Sequence, residues 1–554
     1  MIAAILIPLL IQDSAPPRPA LDDVRTAGRV IGLEFTDEEL ELMVRDVGRA
    51  LSGFERLRAP HIDNSVVPAT TFSPLLPGIG LRTWTPPETT ITFERSALRP
   101  ADLEDLAFAD IPALAALVRA REVTCVELAE LFLGRLERYD PELHFVIAYT
   151  RERALAQAAA LDRELDEGVY RGILHGIPWG AKDLLAVAGT PTTWGAKPFE
   201  DQVLELDAAV VQKLDAAGAV LVAKLSLGAL AMGDVWFGAR TNNPWDVERG
   251  SSGSSAGPAS ATAAGCVPFA IGSETLGSIV SPSTECGNSS LRPTFGRVSR
   301  HGAMALSWTM DKLGPLCRSA QDAAIVFAAI QGPDGRDPTV YDLPFEWTPD
   351  ADVTGWTIGV PKGAFEGERS KRAARVLEEL EALGVGIVEV ELPEYPVRAM
   401  LIVLHAEAAA AFDELTRSGH DDLLVRQGSG AWPNRFRVAR LIPAVEYIRA
   451  QRLRTQLMLD MDRALAEVDV LVHPSFAAGV LTITNLTGHP TFVAPAGFTE
   501  EGRPWSISFT GHLFDEGRLV SLAHAWQRST GYQDRHPTLA FGRSETTSGG
   551  SGGR

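Results

Sequence analysis

Apolar residues recur at helical spacing through several long stretches of the chain. Over 22–57, Leu40, Met43, Val44, Val47 and Leu51 share one helical face. Thr36 ahead of Asp37, Glu38 and Glu39 reads as an N-cap with acid in the first turn. The same period marks 111–119, 125–139 and the alanine-rich 151–167 as helices. Apolar runs at 172–179 and 220–223 read as strands, with a helix over 207–217 between them. Runs at 357–360 and 386–391 repeat that arrangement around a helix over 373–383. Strand, helix, strand at this spacing predicts an α/β fold, a sheet with helices packed on it. Residues 395–466 interrupt the rhythm with helical periodicity throughout, including the run Ala406, Glu407, Ala408 to Ala411, and predict a helical flap over the core. Residues 468–472 and 491–494 are further strands, 505–510 alternates like a half-exposed strand, and 515–529 is a closing helix.

Between these elements the composition shifts. Residues 58–100 carry Pro60, Pro68, Pro74, Pro77, Pro86 and Pro87, which predicts an irregular arm wrapping the main body. The chain therefore divides into an apolar N-terminus (1–20), an arm (21–109), a main domain (110–540) and a low-complexity tail (544–554) expected to be disordered. The run from Ile2 to Ile11 suits a secretory signal, but no Lys or Arg precedes it, and it is too short to span a bilayer. Export and a cytoplasmic location both stay open.

Charge narrows the partners. Across 554 residues the net charge of −20 argues against nucleic acid and anionic membrane surfaces. The four cysteines, Cys125, Cys266, Cys286 and Cys317, form no CxxC and read as buried small apolar residues. The eleven histidines form no HExxH, so neither a metal nor another cofactor is expected. The partners expected are a small-molecule amide or carbamate and, in a homodimer, a second copy of the chain.

Three features carry candidate chemistry. Only seven of the 51 basic residues are lysine, and Lys182 sits in the apolar setting HGIPWGAKDLLAVAG. Desolvation there lowers a lysine pKa, as a lysine base requires, although a salt bridge to Asp183 or a snorkelling stem explains the same sequence. The serine loop 250–257 holds Ser251, Ser252, Ser254 and Ser255, and runs directly into the small-residue stretch 259–265. It also matches G-x-S-x-G with Ser255 at the centre, but the preceding NNPWDVERG is polar and turn-like where a hydrolase elbow needs an apolar strand. In the third feature, IGSETLGSIVSP, the backbone N–H groups of Thr275, Leu276, Gly277 and Ser278 can converge on an oxyanion; an ordinary glycine turn before a strand is the alternative.

Together, HGIPWGAKD, KLSLGALAMG, NNPWD, GSSGSSAGPASATAAG, IGSETLGSI, CGNSSLRPTFGRVSRHGAM, DKLGPLCRS and TNLTGHPTFVAPAGF resemble the amidase signature family of serine hydrolases. The resemblance implies an α/β fold with a central mixed β-sheet flanked by helices. It further implies a Ser–Ser–Lys triad with Lys182 as base, Ser254 as relay after a cis peptide bond, and Ser278 as nucleophile. The oxyanion amides fall on Thr275, Leu276 and Gly277. The sequence departs from the family pattern at Ala256 and Pro258, at Leu276 in place of glycine, at Val280 in place of arginine, and at Ser290 in place of glycine. Loss of that arginine points away from substrates read through a carboxylate. Trp179, Trp194, Trp236, Phe237 and Trp308 crowd the motifs; each alone reads more readily as core, but as a group they point to an apolar acyl or aryl pocket, with Met232, Gly233, Trp236, Val280 and Trp308 as candidate substrate contacts. The implied activity is hydrolysis of a neutral amide through an acyl-enzyme. A carbamate or urethane hydrolase with the same triad, and the A-type subunit of a glutamine-dependent amidotransferase, are the alternatives. An esterase acting through Ser255 and an inactive scaffold rank below them.

Overall fold

The computed structural model describes residues 19–82, 84, 98–366 and 372–540; residues 1–18, Pro86, Pro87 and the 544–554 tail lie outside the described residues. Thirteen strands are described: β1 (Val146–Tyr149), β2 (Pro178–Lys182), β3 (Val220–Leu225), β4 (Asn242–Asn243), β5 (Asp246–Gly250), β6 (Phe269–Glu274) and β7 (Ser289–Arg292). The rest are β8 (Lys312–Cys317), β9 (Thr357–Pro361), β10 (Gly386–Val390), β11 (Val470–Pro474), β12 (Thr491–Phe498) and β13 (Pro504–Thr510). Eleven form one sheet in the order β1-β3-β2-β6-β8-β7-β12-β13-β11-β9-β10, and β4 pairs with β5 in a separate ribbon. The sheet is mixed. β3, β2 and β6 run parallel, β6 to β11 are joined by antiparallel pairs, and β9 and β10 run parallel again beyond β11.

Every residue of β2, β3 and β6 is buried. Helices cover both faces, so these strands do not alternate apolar with polar. That is why β3 is legible as an apolar run and β6 is not: its second half is Gly272, Ser273 and Glu274, which read as loop. β7 and β8 are likewise hidden by polar residues, Pro315 and Gly314. The expected strand over 172–179 begins only at Pro178 and runs on to Lys182. Gly176 before it takes φ +80, a left-handed turn that only glycine enters freely. The expected single helix over 22–57 is two, Leu21–Val30 and Asp37–Arg58, with the Thr36 hydroxyl capping the second through Glu39 N.

Between Val397 and Ala464 lie five α-helices, of which Ile402–Ala411, Trp432–Ala439 and Ala444–Ala464 are the longest. They join the body through buried polar anchors. Trp432 Nε1 donates to Leu230 O at 2.8 Å, and Glu407 accepts from Ser307 Oγ at 2.6 Å and from Tyr447 OH at 2.9 Å. From Ala59 to Arg82 the chain has no helix or strand and lies along the body. Phe72 meets Phe295 edge-on at 5.0 Å and carries the Arg454 guanidinium 3.6 Å above its ring, while Ser73 Oγ meets Tyr341 OH at 2.6 Å.

Candidate active site

β2 and β6 run parallel, so their C-terminal ends open on the same edge of the sheet. Lys182 is the last residue of β2, and the loop carrying Ser278 leaves the end of β6. Such an edge is where an α/β sheet leaves a crevice for chemistry.

Lys182 is fully buried. Its Nζ lies 2.8 Å from Ser254 Oγ, 3.0 Å from Ser255 Oγ, 2.9 Å from Ser273 Oγ and 3.3 Å from Ser273 O. All four partners are neutral oxygens. Burial pushes its pKa well below the ordinary lysine value, with Asp311 and Glu274 acting in the opposite direction. The adjacent Asp183 is not its partner. Asp183, the first residue beyond β2, pairs instead with Lys224 Nζ at 2.7 Å, both fully buried. Thr193 completes that site, donating to Asp183 from N at 2.8 Å and from Oγ1 at 2.5 Å.

The Gly253–Ser254 peptide is cis, as the resemblance implied. Gly253 packs directly on Gly233: a Cβ at Gly253 would lie 2.0 Å from Gly233 O. Ser255 opens the helix Ala256–Ala263, all of whose residues are buried, which is what a run of small side chains permits. The Ser255 hydroxyl donates to Ser273 O at 3.1 Å and accepts from Ser273 N at 3.2 Å, so its proton is committed to tying this helix to β6. The strand before it, β5, belongs to the small ribbon and not to the central sheet, unlike the strand of a hydrolase elbow.

The loop after β6 is held by Glu274. Its Oε2 accepts from Ile279 N at 2.8 Å and Val280 N at 2.9 Å, and its Oε1 accepts from Arg292 at 2.8 Å and Asn485 Nδ2 at 2.8 Å. Burial raises the carboxyl pKa, but the Arg292 charge and these donors outweigh it and bring it down to about 2. Gly277 takes φ +87 at the crest of the loop. Among the described residues, the N–H groups of Thr275, Leu276, Gly277 and Ser278 have no protein acceptor. The Thr275 hydroxyl donates to Asp311 at 2.5 Å, and Ser278 O accepts from Ser255 N at 3.1 Å, which sets the two serine loops side by side. No hydrogen bond joins Ser278 Oγ to Ser254 Oγ among the described residues; such contacts commonly tighten only when substrate is bound.

Of the candidate substrate contacts, Trp308 lines a cavity that also reaches Ser273, Thr275, Leu184 and Ala231. Met232 and Gly233 are half-buried beside Gly253. Val280 is fully buried under Glu274, and Trp236 is tied by Nε1 to His144 O at 3.3 Å, edge-on to Phe237. Trp179 and Trp194 belong to the hydrophobic core. Reading the sequence missed Ser273, Glu274, Asp311 and the Asp183–Lys224 pair. Glu274 had a signal: it is the only charged residue between Gly250 and Thr284. Among the described residues, no group of three or more metal-ligating side chains is assembled, and no helix is long and apolar enough to cross a membrane.

Residues 127–484, more than half of the chain, match the family profile described as Amidase. The chain belongs to the amidase family. It is an amidase-family enzyme acting on carbon–nitrogen bonds. The A-type subunit of the glutamyl-tRNA(Gln) amidotransferase of Chloroflexus aggregans is 35% identical over 493 residues, covering 79% of this chain and 100% of that protein. Its counterpart in Thermosynechococcus vestitus is also 35% identical, over 474 residues, covering 76% and 98%. Among solved structures, the native peptide amidase from Stenotrophomonas maltophilia superposes with a TM-score of 0.71 at 29% identity, covering 78% of this chain and 99% of that one.

Proposed function

We propose that this amidase cleaves an amide C–N bond by nucleophilic attack of Ser278, with Ser254 relaying the proton and Lys182 as the base. One observation carries the reading: a fully buried lysine with no carboxylate partner lies 2.8 Å from the Ser254 hydroxyl. Burial disfavours its ammonium form, which is what a lysine needs if it is to offer a lone pair. Of the two serines in the loop that touch it, only Ser254 has an uncommitted proton, because the Ser255 proton is spent on Ser273 O. Ser254 passes its proton to Lys182 and takes the Ser278 proton as the Ser278 oxygen bonds the carbonyl carbon. The unpartnered N–H groups of Thr275, Leu276 and Gly277 receive the oxyanion. The proton then returns through Ser254 to the leaving nitrogen, the C–N bond breaks, and water cleaves the acyl-enzyme. A carbamate is cleaved by the same steps.

For the substrate, the cavity lining favours a neutral amide with an apolar acyl group. Its charged residues already have partners: Arg300 Nε holds Asp337 at 3.0 Å, Arg336 Nε holds Asp334 at 2.8 Å, and Asp311 accepts from Thr275 and from two backbone N–H groups. A second reading has an observation of its own. The glutamyl-tRNA(Gln) amidotransferase relatives support glutamine as the amide more strongly than they support an aryl amide, and in that role the chain would work with partner proteins. Arg426 is the candidate carboxylate reader for that role. The Arg426 guanidinium lies against Gly233, exposed and with no acidic partner among the described residues. Rates of amine or ammonia release from a 4-nitroanilide, an aliphatic amide, an aryl carbamate and glutamine separate these readings. Fast cleavage of the neutral amides with weak glutaminase activity is expected; dominant glutaminase activity that falls in Arg426→Ala would overturn the neutral-amide reading.

A further inference from the structure

We infer that the N-terminal arm is a wall of the acyl pocket and selects the acyl group by size, an inference that rests on the amide-cleaving reading above. The cavity that reaches Ser273 and Thr275 is also lined by Asn64, Ser65 and Val67 of the arm. These residues lie ahead of the region that matches the family profile, 127–484. The alignment covering all of the Chloroflexus relative still leaves about a fifth of this chain without a counterpart there.

The arm is fixed to the pocket by a two-way clasp. Asn64 Nδ2 donates to Ala305 O at 3.0 Å, and Ala305 N donates to Asn64 Oδ1 at 2.7 Å. Both ends of one side-chain amide are used on one residue, which sets the position of the loop 304–308. The next two N–H groups of that loop, Leu306 and Ser307, donate to Asp311 Oδ2 at 2.8 and 2.9 Å. Asp311 Oδ1 in turn accepts the Thr275 hydroxyl, three residues before Ser278. A continuous run of hydrogen bonds thus leads from the arm to the loop of the proposed nucleophile. On the far side, Ser307 Oγ and Thr309 N donate to Glu407 of the helical layer, so the loop is held from three directions.

Met304, Leu306 and Trp308 of this loop line the cavity together with Leu184 and Ala231, and the partly exposed Val67 lines it too. This lining fits an apolar acyl chain of several carbons. Among the described residues, Trp308 Nε1 is buried without a protein acceptor, so one oxygen on that chain would be matched.

The test compares acetyl, butyryl and hexanoyl 4-nitroanilides with wild type, Asn64→Ala and Val67→Trp, after circular dichroism and Tm show that each variant is folded. Losing the clasp should lower the hexanoyl-to-acetyl ratio of kcat/KM by about tenfold, the worth of two ordinary hydrogen bonds. Val67→Trp, which narrows the cavity, should lower the same ratio by obstruction. An unchanged ratio in both folded variants overturns the proposal. Calorimetric binding of acetamide and hexanamide to Ser278→Ala protein, with and without Asn64→Ala, needs no turnover and so separates this inference from the catalytic reading. Tighter binding of hexanamide that weakens in Asn64→Ala supports the wall even if no anilide is cleaved. Failure of hexanamide to outbind acetamide, or equal hexanamide binding with and without Asn64, overturns the wall whether or not the anilides are cleaved.

Discussion

Two buried lysines stand on neighbouring strands and meet opposite surroundings. In the β2–β3 register, Lys182 sits beside Leu225 and Lys224 beside Ala181, so the two side chains leave on opposite faces of the sheet. Both are fully buried. Lys224 faces Asp183 at 2.7 Å, and Thr192 Oγ1 and Pro191 O accept its remaining protons. Among the described residues, Lys182 meets only hydroxyls and one carbonyl. Burial lowers the pKa of each, but only Lys224 has a neighbouring carboxylate in contact to sustain its charge. Burial alone therefore does not make a base. What separates the two is the partner: Lys224 meets a carboxylate, as a strut does, and Lys182 meets hydroxyls, the setting that the proposed base requires.

The contrast can be broken most severely at the chemistry. Ser278→Ala should reduce amide cleavage on the order of 10⁶-fold, as removal of a serine nucleophile does in comparable sites. Ser255→Ala keeps the proposed relay intact and should cost no more than about tenfold through the loss of its bonds to Ser273; abolished activity there would move the nucleophile to Ser255. Between these lies Lys182→Met, expected to lower kcat by about 10³-fold, the scale of a lost general base, while the protein stays folded by circular dichroism.

Lys224→Met should show the opposite balance. It leaves Asp183 buried without a countercharge and should cost about 3–5 kcal/mol of stability, read as a lower urea midpoint. The double variant Lys224→Met with Asp183→Leu should recover most of that loss. A Lys224→Met protein as stable as wild type would show that the pair is no strut.

The smallest expected effect is a slope. Lys182 has a lower pKa in the folded chain than its ordinary 10.5, so over that interval the unfolded chain binds the extra proton. This contribution to stability is intact above 10.5 and is lost as pH falls toward the folded value. Urea midpoints of wild type should therefore fall with pH relative to Lys182→Met; parallel curves would mean that Lys182 is charged in the folded state.

The part of the site that was legible in the sequence is local. Lys182, Ser254 and Ser278 sit in long motifs whose order along the chain is distinctive, and the structure gathers these motifs at one sheet edge. The strand β6 escaped because a strand buried on both faces and ending in Gly-Ser-Glu has neither alternation nor a continuous apolar run. The pairing of Asp183 with Lys224 depends on strand register, which no single segment encodes. The prolines over 58–100 gave reason to expect an irregular arm. Its clasp on Ala305 was not legible, since a side-chain amide meeting a backbone 241 residues away leaves no local pattern.

The most direct experiment follows phosphonylation of the protein by a fluorophosphonate across pH, with the modified serine mapped by mass spectrometry, in wild type and Lys182→Met. If a neutral lysine drives Ser278 through Ser254, the adduct falls on Ser278 and its rate rises through one ionisation below 10.5 that is absent in Lys182→Met. An adduct on Ser255, or the same pH profile in both proteins, would contradict it.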